Sequence, residues 1–317
     1  MYILAAVFLD ALFGDPKNFP HPVAGIGFII RFWEKRLYQK DDKKRAGTAF
    51  CWAVLVTTAA AVGLILLLAS LDRALYIAVI LYLLYAALAW RSLKDETLPV
   101  ALYLFNGDPV GAREALSFVV GRDTQRLDES DAVCAAVETI GENFIDGVFS
   151  IIFFSTLGYI FCGATAAVIL TWLFKAASTM DSMIGHDDER YHDFGRACAR
   201  LDDALNFIPA RLGGAILLLA GACLRYPFRQ AFRVFLRDRK KHKSPNSAHG
   251  ESALAGLLGI RLGGGAEYDG VFEARPEIGN SLREPKTADV LRAHAILDAS
   301  VALCALILLF LFGWYKT

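Results

Sequence analysis

The stretch Val148 to Phe174, VFSIIFFSTLGYIFCGATAAVILTWLF, decides how this chain is built. As one helix it crosses a bilayer, because about 20 apolar residues at about 1.5 Å each span the hydrocarbon core. That reading puts the GENFIDG run before it and KAASTMDSM after it on opposite faces. As a hairpin divided at Gly158 and Gly163 it makes two shorter arms, a length more typical of a re-entrant or buried segment. Both polar runs then share one face. The hairpin is the expectation carried forward, because a single site needs the two runs together.

Upstream, Thr48 to Ser70 and Leu71 to Trp90 are each about long enough to cross a bilayer, and they meet at SLDR. They predict a hairpin that returns to its starting side. Arg31 to Arg45 holds seven Lys/Arg and Arg225 to Lys243 eight, which assigns both to the cytoplasmic side. Downstream, Leu212 to Leu224 is short unless ALNFIPAR extends it, and Ala295 to Tyr315 reads as a last span closed by Trp314 and Tyr315 at the interface. Roughly four to six embedded segments are expected. The fold class is all-α: a polytopic integral membrane protein with helical hairpins and amphipathic helices on the cytoplasmic face, read as one domain over residues 1–317.

Composition agrees. Of 317 residues, 55% are hydrophobic and the mean hydropathy is +0.40, above an ordinary soluble domain. The 33 basic and 33 acidic residues cancel, so no global field points to nucleic acid. Six cysteines lie scattered without metal-ligand spacing and read as reduced, structural thiols. The N-terminus has neither a basic n-region nor a small-residue cleavage site, and is expected to stay in the mature protein.

Four polar constellations remain. Asp128, Asp131, Glu138, Glu142 and Asp146 share one sector of an amphipathic helix, opposite Val133, Val137, Ile140 and Phe144. A solvated face explains the first two as well as a site does, and Glu142 and Asp146 less well. In KAASTMDSMIGHDDERYHDFGR, a helix leaving the membrane puts Lys175, Ser178, Thr179, Ser182, Met183 and His186 on one face with Asp181 at its edge, a set suited to one anionic ligand. A snorkelling lysine and a polar loop after a C′ Gly185 are the plainer alternatives. His186 and His192 lack zinc spacing. Asp202 and Asn206 lie one turn apart with Asp203 adjacent, hard oxygen ligands that suit Mg²⁺ arriving with a phosphate. Finally, in RDRKKHKSPNSAHGES, Ser244 as N-cap with Pro245 at N1 predicts a helix start beside cations, the physical recipe for a phosphate site. A basic loop facing anionic lipid explains the cations but not the dense SPNSAHGES.

These runs, with LDALFGDP, PHPVAGIG, RLDDALNFIPAR and IGNSLREP, resemble the adenosylcobinamide-phosphate synthase family of cobalamin biosynthesis, the CobD/CbiB family, over almost the whole chain. The resemblance implies an ATP-dependent amide (C–N) ligase in the inner or plasma membrane of a prokaryote, its site on the cytoplasmic face. It implies a corrinoid, adenosylcobyric acid, joined to aminopropanol or its O-phosphate, with ATP and Mg²⁺ as cofactors and other enzymes of the pathway as partners. Under that reading Glu142, Asp146, Asp202 and Asp203, with Asp181, hold Mg²⁺. Lys175, Thr179, Ser182, Asn206, Arg211, Ser244, Asn246, Ser247 and Gly250 meet phosphate or substrate, and His186, Glu189 or His249 serves as base. His21, between two prolines, either reaches the site or is structural. The competing classes are an AmpE-like membrane sensor without catalysis and a transporter.

Overall fold

The computed structural model describes residues 2–15, 21–185, 188–268 and 270–314. Twelve helices carry the described chain: α1 Tyr2–Phe13, α2 Pro22–Leu37, α3 Lys43–Ala69, α4 Arg73–Tyr85, α5 Trp90–Phe105, α6 Pro109–Ser117, α7 Glu129–Asn143, α8 Ser150–Ile184, α9 Arg196–Cys223, α10 Phe228–Asp238, α11 Ala248–Leu258 and α12 Ala288–Trp314. A π-helical turn, Phe144–Phe149, joins α7 to α8. Aspartates start many of these helices by accepting from an otherwise orphaned amide: Asp42 from Arg45, Asp72 from Leu75, Asp108 from Gly111 and Asp128 from Asp131. His21 does the same for α2 through Nδ1, 3.3 Å from the Val23 amide, with Nε2 3.4 Å from Asp15. The side chain thus caps the start of α2.

Among the described residues five stretches are long and apolar enough to cross a membrane: Lys43–Ala69, Arg73–Phe105, Glu129–Ile184, Arg196–Cys223 and Ala288–Gly313. They present large apolar side chains outward, Trp52 and Leu67 on α3 and Phe310 on α12 among them, as a hydrocarbon solvent favours. The protein is an all-α polytopic membrane protein. Two differences from expectation stand out. The second apolar run breaks after Tyr85, so α4 alone has 13 residues, about 20 Å, short of the core thickness. And two antiparallel ladders of three residues each appear, β1 Arg261–Gly263 with β4 Glu277–Gly279 and β2 Ala266–Tyr268 with β3 Val271–Glu273. Strands this short leave no periodicity to read.

The chain divides into two compact units, Met1–Ala89 with Ser150–Asn206, and Trp90–Phe149 with Phe207–Thr317. In the first, the stretch that opened the sequence reading is a hairpin. Gly163 holds φ 79° inside α8, a left-handed conformation that glycine adopts without steric cost. The arms return on each other: Phe154 and Phe174 stack with ring centroids 4.9 Å apart, where a straight helix would separate them by about 30 Å. Gly158 lies so close to Ala166 that a Cβ would sit 2.6 Å from its carbonyl oxygen. The same unit buries Phe50, Phe174 and Phe194, and Trp172 Nε1 donates to the Leu83 carbonyl at 3.1 Å.

In the second unit α7 packs on α5, α11 and α12, and α10 packs on α11. Val133, Val137, Ile140 and Phe144 are all fully buried, as their sector predicted. Two ionic latches hold its far end. Asp238, fully buried, receives Arg237 Nε at 2.7 Å, Lys241 at 2.8 Å and the Gly279 amide at 2.8 Å. Asp289, also buried, receives Arg283 through two bonds of 2.6 and 2.7 Å and Arg292 at 2.8 Å. The run IGNSLREP thus supplies structural clamps.

Candidate functional site

The second unit concentrates buried acid chemistry where α7 crosses α11. The crossing is made by two glycines: a Cβ on Gly250 would lie 1.9 Å from the Gly141 carbonyl oxygen, and one on Gly141 would lie 2.9 Å from the Gly250 carbonyl carbon. No larger residue permits this approach. It sets Glu138 and Glu142 of α7 beside Ser247 and Glu251 at the start of α11.

The three carboxylates have different partners. Glu138 is compensated: Arg122 pairs with it and the Gly263 amide donates to its Oε1 at 2.7 Å. Glu142 accepts from the Ser247 hydroxyl. Glu251 has His242 Nε2 3.8 Å from its Oε1, and its side chain is only 6% exposed. Burial, then the charges of Glu138 and Glu142, push the Glu251 carboxyl well above the usual carboxylate range. Burial, then Arg275, push the His242 imidazole below its ordinary value, so the nearest basic side chain is neutral near neutral pH. The Glu251 carboxyl thereby holds its proton more tightly than an ordinary carboxyl does. His242 also lines a cavity of about 470 Å³ whose walls are Lys241, Lys243, Arg275 and the chain from Glu273 to Pro276. A cationic vestibule thus adjoins an acidic pair.

Two residues before Glu251, His249 is fully buried, its Nδ1 3.1 Å from the Asn246 carbonyl and its ring edge on Phe235. Among the described residues Nε2 has no hydrogen-bond partner. Burial, then Arg211, lower this imidazole to about 4. Arg211 Nη1 lies 3.4 Å from Asn246 Oδ1, and its guanidinium covers the Phe207 ring.

Of the residues singled out from the sequence, Glu142, Arg211, Ser244, Asn246, Ser247, His249 and Gly250 gather in this unit. Ser244 does not cap α11, however. Its hydroxyl accepts from the Asn246 amide within a turn, and the helix begins at Ala248 behind Ser247, which makes no side-chain cap. Ala248 through Glu251 are buried, so the helix start is closed and the open cations are those of the vestibule. Asp146 sits half-buried in the π-helical turn.

The others belong to the first unit. Lys175, Thr179, Asp181 and Ser182 lie on the second arm of α8, where the Thr179 hydroxyl donates to the Lys175 carbonyl at 2.7 Å. Gly185 ends α8 without a left-handed turn; a Cβ there would meet Asp181 Oδ1 at 1.8 Å, so the constraint is space. Glu189 is exposed, and His186 lies outside the described residues. Asn206 is 1% exposed with both amide ends engaged, accepting from Ser150 at 2.8 Å and donating to Asp202 at 3.1 Å, so it ties α9 to α8. Asp203 adjoins it, half-buried.

Glu251, Glu138, Arg122, His242 and Arg275 were not selected from sequence. Glu251 stood inside SPNSAHGES and Glu138 inside the acidic stripe, but Arg122 and Arg275 carry no local signal. Gly263, in the LGGG run Leu262–Gly265, supplies the amide that holds Glu138. Among the described residues no three His, Cys, Asp or Glu side chains converge as an all-protein metal cage requires. Mg²⁺ carried by a phosphate needs only one or two carboxylates, and Glu142, partly exposed at the α7–α11 crossing, fits that demand.

The fold and this site define a multi-pass α-helical membrane protein with a buried acid cluster. The family model described as CobD/Cbib protein matches residues 3–297. Relatives named Cobalamin biosynthesis protein CobD are similar along their length: one from Geobacter metallireducens is 44% identical over 89% of this chain and 86% of its own. One from Clostridium perfringens is 39% identical over 93% and 92%, and one from Halalkalibacterium halodurans 37% over 99% and 96%. The chain belongs to the CobD/CbiB family. No solved structure matches it.

Proposed function

We propose that the protein serves cobalamin biosynthesis by forming an amide between the free carboxyl of adenosylcobyric acid and aminopropanol or its O-phosphate, with ATP consumed. Supporting the family reading is one observation above others: Glu251, a buried carboxyl whose proton affinity its surroundings raise, lies against His242 on the wall of a cationic vestibule. A carboxylate does not yield to an amine unactivated, so the corrinoid carboxyl first takes a phosphoryl group, and the amine then displaces phosphate. Lys241, Lys243 and Arg275 hold the anionic groups, as preorganised cations do in phosphoryl transfer. Deprotonated Glu251 takes the proton that the attacking amine must lose, and its raised pKa lies nearer the operating pH where such a base works best. Arg122 and the Gly263 amide fix the Glu138 carboxylate in place beside Glu251, whose proton affinity it raises. Glu142 would hold Mg²⁺ arriving with the nucleotide's phosphates, and the ion would supply charge neutralisation there.

The test uses full-length protein in lipid nanodiscs with adenosylcobyric acid, ATP, Mg²⁺ and either amine, and mass spectrometry of the corrinoid. The reading expects an amide product that requires ATP with at least one amine. No product with either, or product formed without ATP, overturns it. In a cobalamin-dependent strain lacking the gene, rescue by cobinamide but not by cobyric acid is the matching cellular result.

A further inference from the structure

The exposed side of α10 remains unused by the acid cluster. Its buried side carries Ala231 and Val234 against Gly256 of α11, and Phe235 against Gly214 of α9. On the side facing out, Phe228, Phe232 and Leu236 are 37, 42 and 50% exposed. At about 100° per residue they form a ridge roughly 80° wide, and Arg229, Arg233 and Arg237 fill the next 80° or so. The Phe228 and Phe232 rings stack at 5.8 Å, which makes the ridge continuous. Eight Lys/Arg fall between Arg225 and Lys243 against a single acid, Asp238, and that one is buried and already paired.

We propose that α10 lies on the bilayer surface, its Phe/Leu ridge at the acyl–headgroup boundary and Arg229 and Arg233 on anionic phospholipid headgroups. Three observations favour lipid over a protein partner. First, α10 is tethered to α9, one of the helices long and apolar enough to span, by only Leu224–Pro227, at most about 14 Å of chain. Second, the tether turns sharply: Arg225 holds φ 66°, and the Tyr226 amide donates back to the Gly221 carbonyl at 2.9 Å, a Schellman-type end that turns the chain out of α9 directly before α10. Third, an aromatic ridge flanked by arginines is the composition of interfacial helices, whose binding grows with buried apolar area and with anionic lipid. Because α10 backs α11, lipid contact braces the helix that carries His249 and Glu251.

Full-length protein is placed in nanodiscs of phosphatidylcholine alone or of equimolar phosphatidylcholine and phosphatidylglycerol, each with brominated acyl chains. Phe232→Trp keeps an aromatic at an exposed position, and its emission is taken as the difference from the parent. Strong quenching is expected in the mixed discs and weaker quenching in phosphatidylcholine. In Phe232→Trp with Arg229→Gln and Arg233→Gln, quenching in the mixed discs should fall to the phosphatidylcholine level. The phosphatidylglycerol enrichment retained on the protein should fall roughly fivefold per charge removed. Unquenched emission in both discs, whether the indole is in water or under protein, overturns the proposal. Equal quenching in both overturns its anionic selectivity.

Discussion

Asp238 and Glu251 are both buried carboxyls of the second unit, and they are treated in opposite ways. Burial opposes the charge of each. At Asp238, hydrogen bonds from Arg237, Lys241 and the Gly279 amide overcome burial and hold the carboxyl at about 2. At Glu251, burial is reinforced by Glu138 and Glu142, and the adjacent histidine is neutral. The difference separates a latch from a site. A carboxylate whose partners are all supplied by the protein has no capacity left for a ligand; one set among like charges can exchange a proton or accept a cation from outside.

Substitutions can break this contrast at either end. The largest effect is expected from Glu251→Gln, which preserves shape and the neutral form: amide formation should fall about 10²- to 10⁴-fold with the melting temperature unchanged, read by product assay and by calorimetry in the same nanodiscs. Asp238→Asn should do the reverse, since it leaves Arg237 and Lys241 without their counterion. Stability is expected to drop by about 3–5 kcal/mol, with turnover per folded molecule retained. Gly250→Ala should lower both, because its Cβ would strike the Gly141 carbonyl and part α7 from α11; about 1–3 kcal/mol of stability is expected, together with most of the activity.

A smaller effect lies in the pH dependence of stability. Glu251 binds its proton more tightly folded than unfolded. Its contribution to stability is therefore full below the unfolded carboxyl pKa and declines as pH rises through its raised folded value. Asp238 works the other way, with stability present above the unfolded value and lost as pH falls toward about 2. Melting curves across pH should show both limbs, and Glu251→Gln should remove the upper one alone.

Much of this contrast was legible in sequence, but unevenly. The hairpin of α8 followed from Gly163 and the half-length arms, and the buried side of α7 from its period. SPNSAHGES was recognisable as dense polar chemistry, yet the choice of His249 and Gly250 over Glu251 inside it came from residue type, since burial and neighbours decide a carboxyl's pKa and neither is local. The Ser244 cap was misplaced by three residues because Ser-Pro suits both a helix start and the turn actually formed. Arg122 and Arg275 arrive from loops far in sequence, and the short ladders that fix Gly263 and Gly279 carry no pattern. Asn206 looked like a ligand because its spacing from Asp202 is right; the structure uses that spacing for the hydrogen bond between them.

If Glu251 is the base whose proton affinity the acid cluster raises, its titration governs the pH profile of kcat/KM for amide formation, measured for the parent and for Glu251→Gln in nanodiscs. The parent should show an ascending limb centred well above the ordinary carboxylate range, absent from the residual activity of Glu251→Gln. An identical limb in both proteins would rule Glu251 out as the base.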